Sequence, residues 1–219
     1  MKDALEYAKY FIRQNPRSYS NSLEGNKKLN KLLIFADMIN LAQFEEPLFT
    51  NKIMAFENGF VVEDVRQKYK NNYNELICEC IEELPELSEK EQASLWYADR
   101  IFGNLSADEL SELSHTFTFW SEAYHRGTNS QNYHNKSRSV INLEEMIAEV
   151  PKMKMLIDAC DRTSEEGSES KNINGVVYYY NPDEIQMTDE MILYLQEFSE
   201  QAEDTSYSVY KDNGELVVF

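Results

Sequence analysis

The stretch of hydrophobic residues from 29 to 41 constrains the fold of this chain more than any other feature. Its apolar members cover most of the surface of a helix, and they are Leu29, Leu32, Leu33, Phe35, Ala36, Ile39 and Leu41. A helix at the surface of a globular protein carries only one apolar stripe. The pattern therefore predicts a central core helix that is buried on more than one side.

Three lysines, Lys27, Lys28 and Lys31, lie close to the start of this helix. Positive charges near a helix N-terminus interact unfavourably with the helix dipole, so the dipole does not explain why lysines occur at these positions. They are interpreted either as a solvated face of the helix or as a contact for an acidic patch.

A second apolar stretch, residues 52–56, is followed by Asn58 and Gly59. Glycine adopts positive φ without steric cost, which lets the chain reverse. An amphipathic run begins at about Val61, with acidic residues in its first turn and basic residues later, in agreement with the helix dipole. The pattern predicts a strand, a tight turn and a helix.

These residues resemble a known protein family. The helix motif is Leu29, Lys31, Leu32, Leu33, Phe35 and Ala36, the turn motif is Phe56, Gly59, Val61 and Val62, and the next helix carries Tyr69 and Lys70. A second block consists of Leu110, Leu113, His115, Trp120 and Ala123. Together the blocks resemble the Panacea domain, also called SocA-like, over roughly residues 1–150. Phe60 and Phe119 stand where the family has proline.

The resemblance implies an antitoxin, which is a protein that neutralises a toxin encoded beside it, usually by direct contact. Six residues of the two blocks are candidates for partner binding, namely Phe60, Arg66, Tyr69, His115, Phe119 and Trp120. Aromatic residues dominate interface energetics, but core packing is the favoured alternative for these rings. For His115 the alternative is a structural histidine that bonds to the backbone.

The rest of the chain predicts a mainly helical protein. Gly (7) and Pro (5) are scarce among 219 residues. Ser88 with Glu91, and Ser106 with Glu109, have the spacing of capping boxes that begin two helices. Short helices joined by short connections form a compact bundle. In residues 75–87 the apolar pattern is too short to distinguish a helix from a strand.

The C-terminal part has a different pattern. Residues 162–174 are polar and acidic, as in a linker or mobile loop. They are followed by a strand at residues 175–180, a helix that begins at Thr188, and a hairpin about Asp212, Asn213 and Gly214. The predicted fold class is mainly α, a compact helical bundle with a short strand-turn element and a small C-terminal α+β extension. Residues 1–160 are the expected helical domain, and residues 175–219 are an extension packed on it.

The charge of the chain limits its partners. The formal net charge is −18, and residues 143–219 hold 18 acidic and 5 basic residues. Phosphate backbones and anionic membranes repel such a chain, so direct binding of nucleic acid or a membrane is not expected. A basic protein partner is favoured, and solubility alone is the other explanation.

The sequence contains no P-loop, dinucleotide fingerprint, zinc-protease motif or nucleophile elbow, so we expect neither an enzyme nor a cofactor. Cys78 and Cys80 are spaced more tightly than in a structural zinc site, and no metal is predicted. No apolar run approaches the ~20 residues of a membrane span, and the N-terminus lacks a signal peptide, so a cytoplasmic protein is expected.

The leading hypothesis is an antitoxin-like protein that neutralises a cognate toxin by direct binding, with partner specificity added by the extension. An acidic inhibitor from a phage or mobile element that mimics nucleic acid is an alternative. An adaptor that presents a bound protein to a protease is another, and sequence does not separate the three.

Overall fold

The computed structural model describes residues 2–82, 86–165, 169–202, 204–212 and 215–218. The protein is 57% helical, and the described residues form ten α-helices and two small sheets. The predicted class, mainly α with a small C-terminal α+β extension, is confirmed.

The helices are α1 (Ala4–Gln14), α2 (Leu23–Phe44), α3 (Glu63–Asn71), α4 (Tyr73–Glu82), α5 (Glu89–Phe102), α6 (Ala107–His115), α7 (Thr118–Gly127), α8 (Leu143–Ile147), α9 (Val150–Glu165) and α10 (Asp189–Ser199). The strands are β1 (Ile53–Phe56), β2 (Gly59–Val62), β3 (Val140–Ile141), β4 (Glu169–Ile173), β5 (Val176–Tyr180), β6 (Ser206–Asp212) and β7 (Glu215–Val218). The chain forms two compact units, Met1–Ile157 and Asp158–Phe219.

Helix α2 is the central core helix of the first unit, as predicted. Leu29, Leu33, Phe35 and Ile39 have no exposed surface, and helices α1, α3, α5 and α6 pack around them together with β2. The helix begins where the Ser22 hydroxyl accepts a hydrogen bond from the amide of Gly25, and such a cap satisfies an otherwise unpaired N–H group.

Five polar side chains of α2 are also buried, and each bonds to the backbone of another segment. Asn26 donates to the Arg66 carbonyl (3.2 Å). Lys31 donates to the Phe60 carbonyl (3.0 Å), Asn30 accepts from the Val62 amide (2.9 Å), Asp37 accepts from the Leu48 amide (2.6 Å) and Asn40 donates to the Glu46 carbonyl (2.7 Å). Buried polar groups that lack such partners destabilise a fold. These bonds therefore fix the segments around α2 in place.

The predicted strand-turn-helix at residues 52–70 was incomplete. Strands β1 and β2 form an antiparallel hairpin in which Ile53 pairs with Val62 and Phe56 with Gly59, and α3 begins only at Glu63. Every residue of β2 is buried, so it lacks the alternation of polar and apolar residues that marks a half-exposed strand. Strand β3 pairs with the other edge of β1 and gives the order β2-β1-β3.

The predicted capping boxes are both present, Ser88 with Glu91 at α5 and Ser106 with Glu109 at α6. The ambiguous residues 75–82 belong to helix α4. A capping box depends on contacts within one turn of helix, so the spacing of its two residues in the sequence indicates it directly.

The second unit is a four-stranded sheet with the order β4-β5-β6-β7 and one helix. Strands β5 and β6 are parallel, and α10 connects them in the chain. The core of this unit contains Ile173, Val176, Tyr178, Leu195 and Val209. The predicted strand, helix and final hairpin are present, although the turn residues Asn213 and Gly214 lie outside the described residues.

The predicted linker at residues 162–174 was wrong for most of its length. Helix α9 continues to Glu165, and Glu169–Ile173 forms β4, antiparallel to β5; residues 166–168 lie outside the described ranges. Strand β4 is at the edge of its sheet, where polar side chains are common and protect against pairing with other chains. A polar composition therefore concealed a strand.

Gly59 provides a test of the packing between the hairpin and α2. Its φ is +93°, and a Cβ atom would lie 2.8 Å from Cε of Lys31 and even closer to the Ser114 hydroxyl. Gly175 has φ +89° but nothing within 4 Å of such a Cβ atom, so it is a matched control. We expect Gly175→Ala to lower the free energy of unfolding of its unit by about 1 kcal/mol and Gly59→Ala to cost about 2–4 kcal/mol. Urea denaturation measures both, and equal losses would contradict the close packing at Gly59.

Candidate functional site

The six candidate residues lie in and around the β1–β2 hairpin. Phe60 on β2 is fully buried, and Phe119 on α7 is 1% exposed. Their rings stack with centroids 5.7 Å apart and an interplanar angle of 25°. The two phenylalanines are thus in direct contact, and they pack the hairpin against α7.

His115 and Trp120 hold the turn of the hairpin. The His115 ring bonds through Nε2 to the Glu57 carbonyl (3.0 Å), and Trp120 Nε1 donates to the Phe56 carbonyl (3.0 Å). The centroids of the His115 and Trp120 rings are 4.0 Å apart. The bond of His115 to the backbone is the one that the structural alternative for this residue predicts. His115 is exposed, however, so its outer face remains accessible.

Arg66 and Tyr69 project from α3 on the other side of the hairpin. Arg66 forms a two-pronged ion pair with Glu63 (both contacts 2.7 Å) and its guanidinium lies 5.4 Å from the Phe56 ring centroid. The Tyr69 hydroxyl donates to the Ser20 carbonyl (2.7 Å), and the residue is 1% exposed. Tyr69 thereby connects α3 to the segment that precedes α2.

A cavity of about 860 Å³ lies beside these residues, within the first unit. The first turns of α2, the turn of the hairpin, α3 and the segment after α7 enclose it. Its charged lining is strongly basic. Among the described residues, Lys27, Lys31, Arg66, Lys70 and Lys136 line the cavity together with one carboxylate, that of Glu57. Asparagine side chains and the apolar side chains of Leu23, Phe56 and Val61 make up much of the remainder.

The three lysines of α2 do not form a solvated face. Lys27 pairs with Glu24 of its own helix (2.8 Å) and with Asp108 of α6 (3.0 Å). Lys28 donates to the Gly103 carbonyl (2.6 Å). Lys31 is only 1% exposed, because α2 is surrounded on every side.

The environment of Lys31 changes its protonation. Burial lowers its pKa from 10.5 to about 7, and the positive charge of Lys27 acts in the same direction. Burial disfavours a charged amine unless an opposite charge is near. The sequence reasoning missed Lys31, Lys70 and Lys136 as site residues, although a lysine within an otherwise apolar helix surface was the available signal for Lys31.

The comparisons with known proteins agree with this geometry. Residues 29–121 match the family model described as antitoxin SocA-like, Panacea domain. Residues 29–121 are therefore similar to the SocA-like Panacea domain. The matched residues begin in α2, extend into α7 and include all six candidate residues, so the predicted resemblance is confirmed over that segment. No curated protein and no solved structure matched the chain.

The Panacea domain and the rest of the described chain contain no group of three or more His, Cys, Asp and Glu side chains placed to hold a metal ion. Within the same described ranges, no helix has both the length and the hydropathy that crossing a membrane requires.

The lowered pKa of Lys31 predicts a pH dependence of the stability of the first unit. Below pH 7 this lysine is protonated in both states, whereas between pH 7 and about 10 it is protonated only in the unfolded chain. The unfolded state then binds more protons, so the free energy of unfolding increases with pH through this range. We expect Lys31→Met to remove that increase.

Urea unfolding at a series of pH values from 7 to 10 measures the effect. Lys154→Met, at an exposed position of α9, is the matched control and should retain the pH slope of the natural protein. Parallel pH profiles for Lys31→Met and the natural protein would show that the ammonium is not destabilised in the folded state.

Proposed function

We propose that this protein is a cytoplasmic, non-enzymatic antitoxin that neutralises a cognate toxin protein by direct binding. The match of residues 29–121 to the antitoxin SocA-like family carries this proposal. The Panacea domain acts as a rigid scaffold, because its central helix and hairpin are fixed by buried bonds on both sides.

In this proposal the second unit adds partner specificity. Residues 158–219 hold fifteen acidic and three basic residues, so this part of the chain attracts a basic partner. Complementary charge accelerates association and selects among partners more than it increases affinity.

The sheet of the second unit offers a contact surface for that partner. Along β5 and β6, Tyr178 and Val209 are buried on the core face, whereas Tyr179 is 48% exposed and Tyr210 is 41% exposed. Successive side chains of a strand point to opposite faces, so Tyr179 and Tyr210 share the other face on neighbouring strands. Tyrosine is enriched in protein interfaces, where it supplies a large contact area and a hydrogen-bonding group.

The tyrosine surface can be tested with the toxin encoded in the adjacent reading frame. We expect the double variant Tyr179→Ser, Tyr210→Ser to weaken toxin binding about 100-fold and to lose protection of growth when both proteins are expressed together. This magnitude corresponds to a loss of about 1.4 kcal/mol for each interface tyrosine. Tyr133→Ser changes a tyrosine of the first unit that is 69% exposed and serves as the matched control. Unchanged binding by the double variant, with a folded protein by circular dichroism, would rule out this surface.

A truncated chain tests the proposed division of labour. A protein that ends after Arg162 retains α1 to α8 and most of α9, so we expect it to remain helical by circular dichroism and to lose or change toxin neutralisation. Full neutralisation by this truncated protein would refute a role of the second unit in specificity, and a fully unfolded product would refute the independence of the first unit.

Purification of the protein from its native operon distinguishes the proposal from its alternatives. A toxic neighbour as the bound chain supports the antitoxin. A DNA- or RNA-binding enzyme as the bound chain would instead identify a nucleic-acid mimic, and a protease would identify an adaptor.

A further inference from the structure

The cavity beside the hairpin has the opposite charge from the protein as a whole. The chain has 39 acidic and 21 basic residues, yet five cationic side chains and one carboxylate line this space. Like charges in a shared space repel each other, so such a cluster is unfavourable for folding unless something neutralises it. The arrangement points to an anion as the missing component.

Protein carboxylates neutralise only part of the cluster. Lys27 and Arg66 have acidic partners, as described above. For Lys31, Lys70 and Lys136, no acidic side chain of the described residues lies within the 4 Å of an ion pair. Lys136 Nζ lies 4.6 Å from the Phe56 ring centroid, a contact that leaves its charge without a carboxylate partner. All three side chains can therefore pair with an anionic ligand.

Lys31 is the strongest indication among them. Its ammonium has three N–H donors and is buried, and within the described residues the Phe60 carbonyl (3.0 Å) is its hydrogen-bond acceptor. A buried charge is stable only when it is paired and fully hydrogen-bonded. An anion in the cavity would supply both the opposite charge and the remaining acceptors. The N-terminal end of the 22-residue helix α2 lies at the same cavity and adds a partial positive charge.

The size and the apolar lining of the cavity define the ligand further. A volume of about 860 Å³ is within the range of sites for small organic molecules and is much larger than an inorganic phosphate requires. Leu23, Phe56, Val61 and Tyr124 offer apolar surface next to the cations. The side chains of Asn21, Asn58 and Asn132 add hydrogen-bond donors and acceptors of the kind that recognise a base or a sugar.

We propose that this cavity binds a small organic phosphate of nucleotide size, with its phosphate groups at Lys31, Lys70 and Lys136. Phosphate is the anion that carries enough charge and enough acceptor oxygens for three lysines at once. The site lies within the first unit, so the proposal does not depend on the identity of any toxin.

Isothermal titration calorimetry of the full-length protein with ATP, GTP, CTP and UTP tests the site. We expect at least one of the four nucleotides to bind with a dissociation constant below about 1 mM, with an affinity that falls as salt increases. Lys70→Met and Lys136→Met change exposed side chains and should preserve the fold, and each should weaken binding about three- to tenfold. Lys31→Met should abolish binding.

Lys154→Met removes the same charge at an exposed position outside the cavity lining and should leave the affinity unchanged. A hexaglutamate peptide provides the second control. If none of the four nucleotides binds, or if the three cavity variants bind as tightly as Lys154→Met, the proposal is wrong. Binding of hexaglutamate in preference to every nucleotide would also overturn it, because the cavity would then accept an acidic polypeptide segment.

Discussion

The burial of α2 on all sides is the constraint on which the rest of this structure depends. Between residues 29 and 42 the helix has no solvated face, so no water satisfies its polar side chains there and they must find partners in the protein. Asn30 and Lys31 bind the backbone of β2, and Asp37 and Asn40 bind the backbone that follows the helix. The helix therefore determines where the neighbouring segments lie as well as forming the core.

The β1–β2 hairpin packs on this core and lines the basic cavity. Lys31 holds it from the side of α2, while His115 and Trp120 hold its turn from α6 and α7. Hairpin residues, among them Phe56, Glu57 and Val61, line one side of the basic cavity, so the rigidity of the hairpin also fixes the cavity. A scaffold of this kind suits a protein that presents fixed surfaces to a partner, because little conformational entropy is lost when a preformed surface binds.

Local signals in the sequence predicted much of this fold. The apolar run of α2, the two capping boxes and the Gly59 turn all depend on residues within a few positions of one another. The sequence reasoning failed where the structure depends on distant contacts. Strand β2 is buried on both faces only because α2 and Phe119 cover it, β3 gains its structure from pairing with β1, and the polar strand β4 exists only as the edge of a sheet.

The candidate site was predictable to a similar extent. The family motifs identified residues that surround the hairpin, but three of the six, Phe60, Tyr69 and Phe119, are almost fully buried. The cations of the cavity come from α2, α3 and the segment after α7, and no spacing rule connects positions so far apart in the chain.

Native-state hydrogen exchange tests the central claim, that buried polar bonds from α2 hold the neighbouring backbone. The amides of Leu48 and Val62 donate to the Asp37 and Asn30 side chains, respectively, and not to another backbone group. The account predicts that both amides exchange only when the first unit unfolds globally, with the same free energy and the same denaturant dependence as the core amides of α2. Exchange of either amide through a local opening of much lower free energy would contradict it.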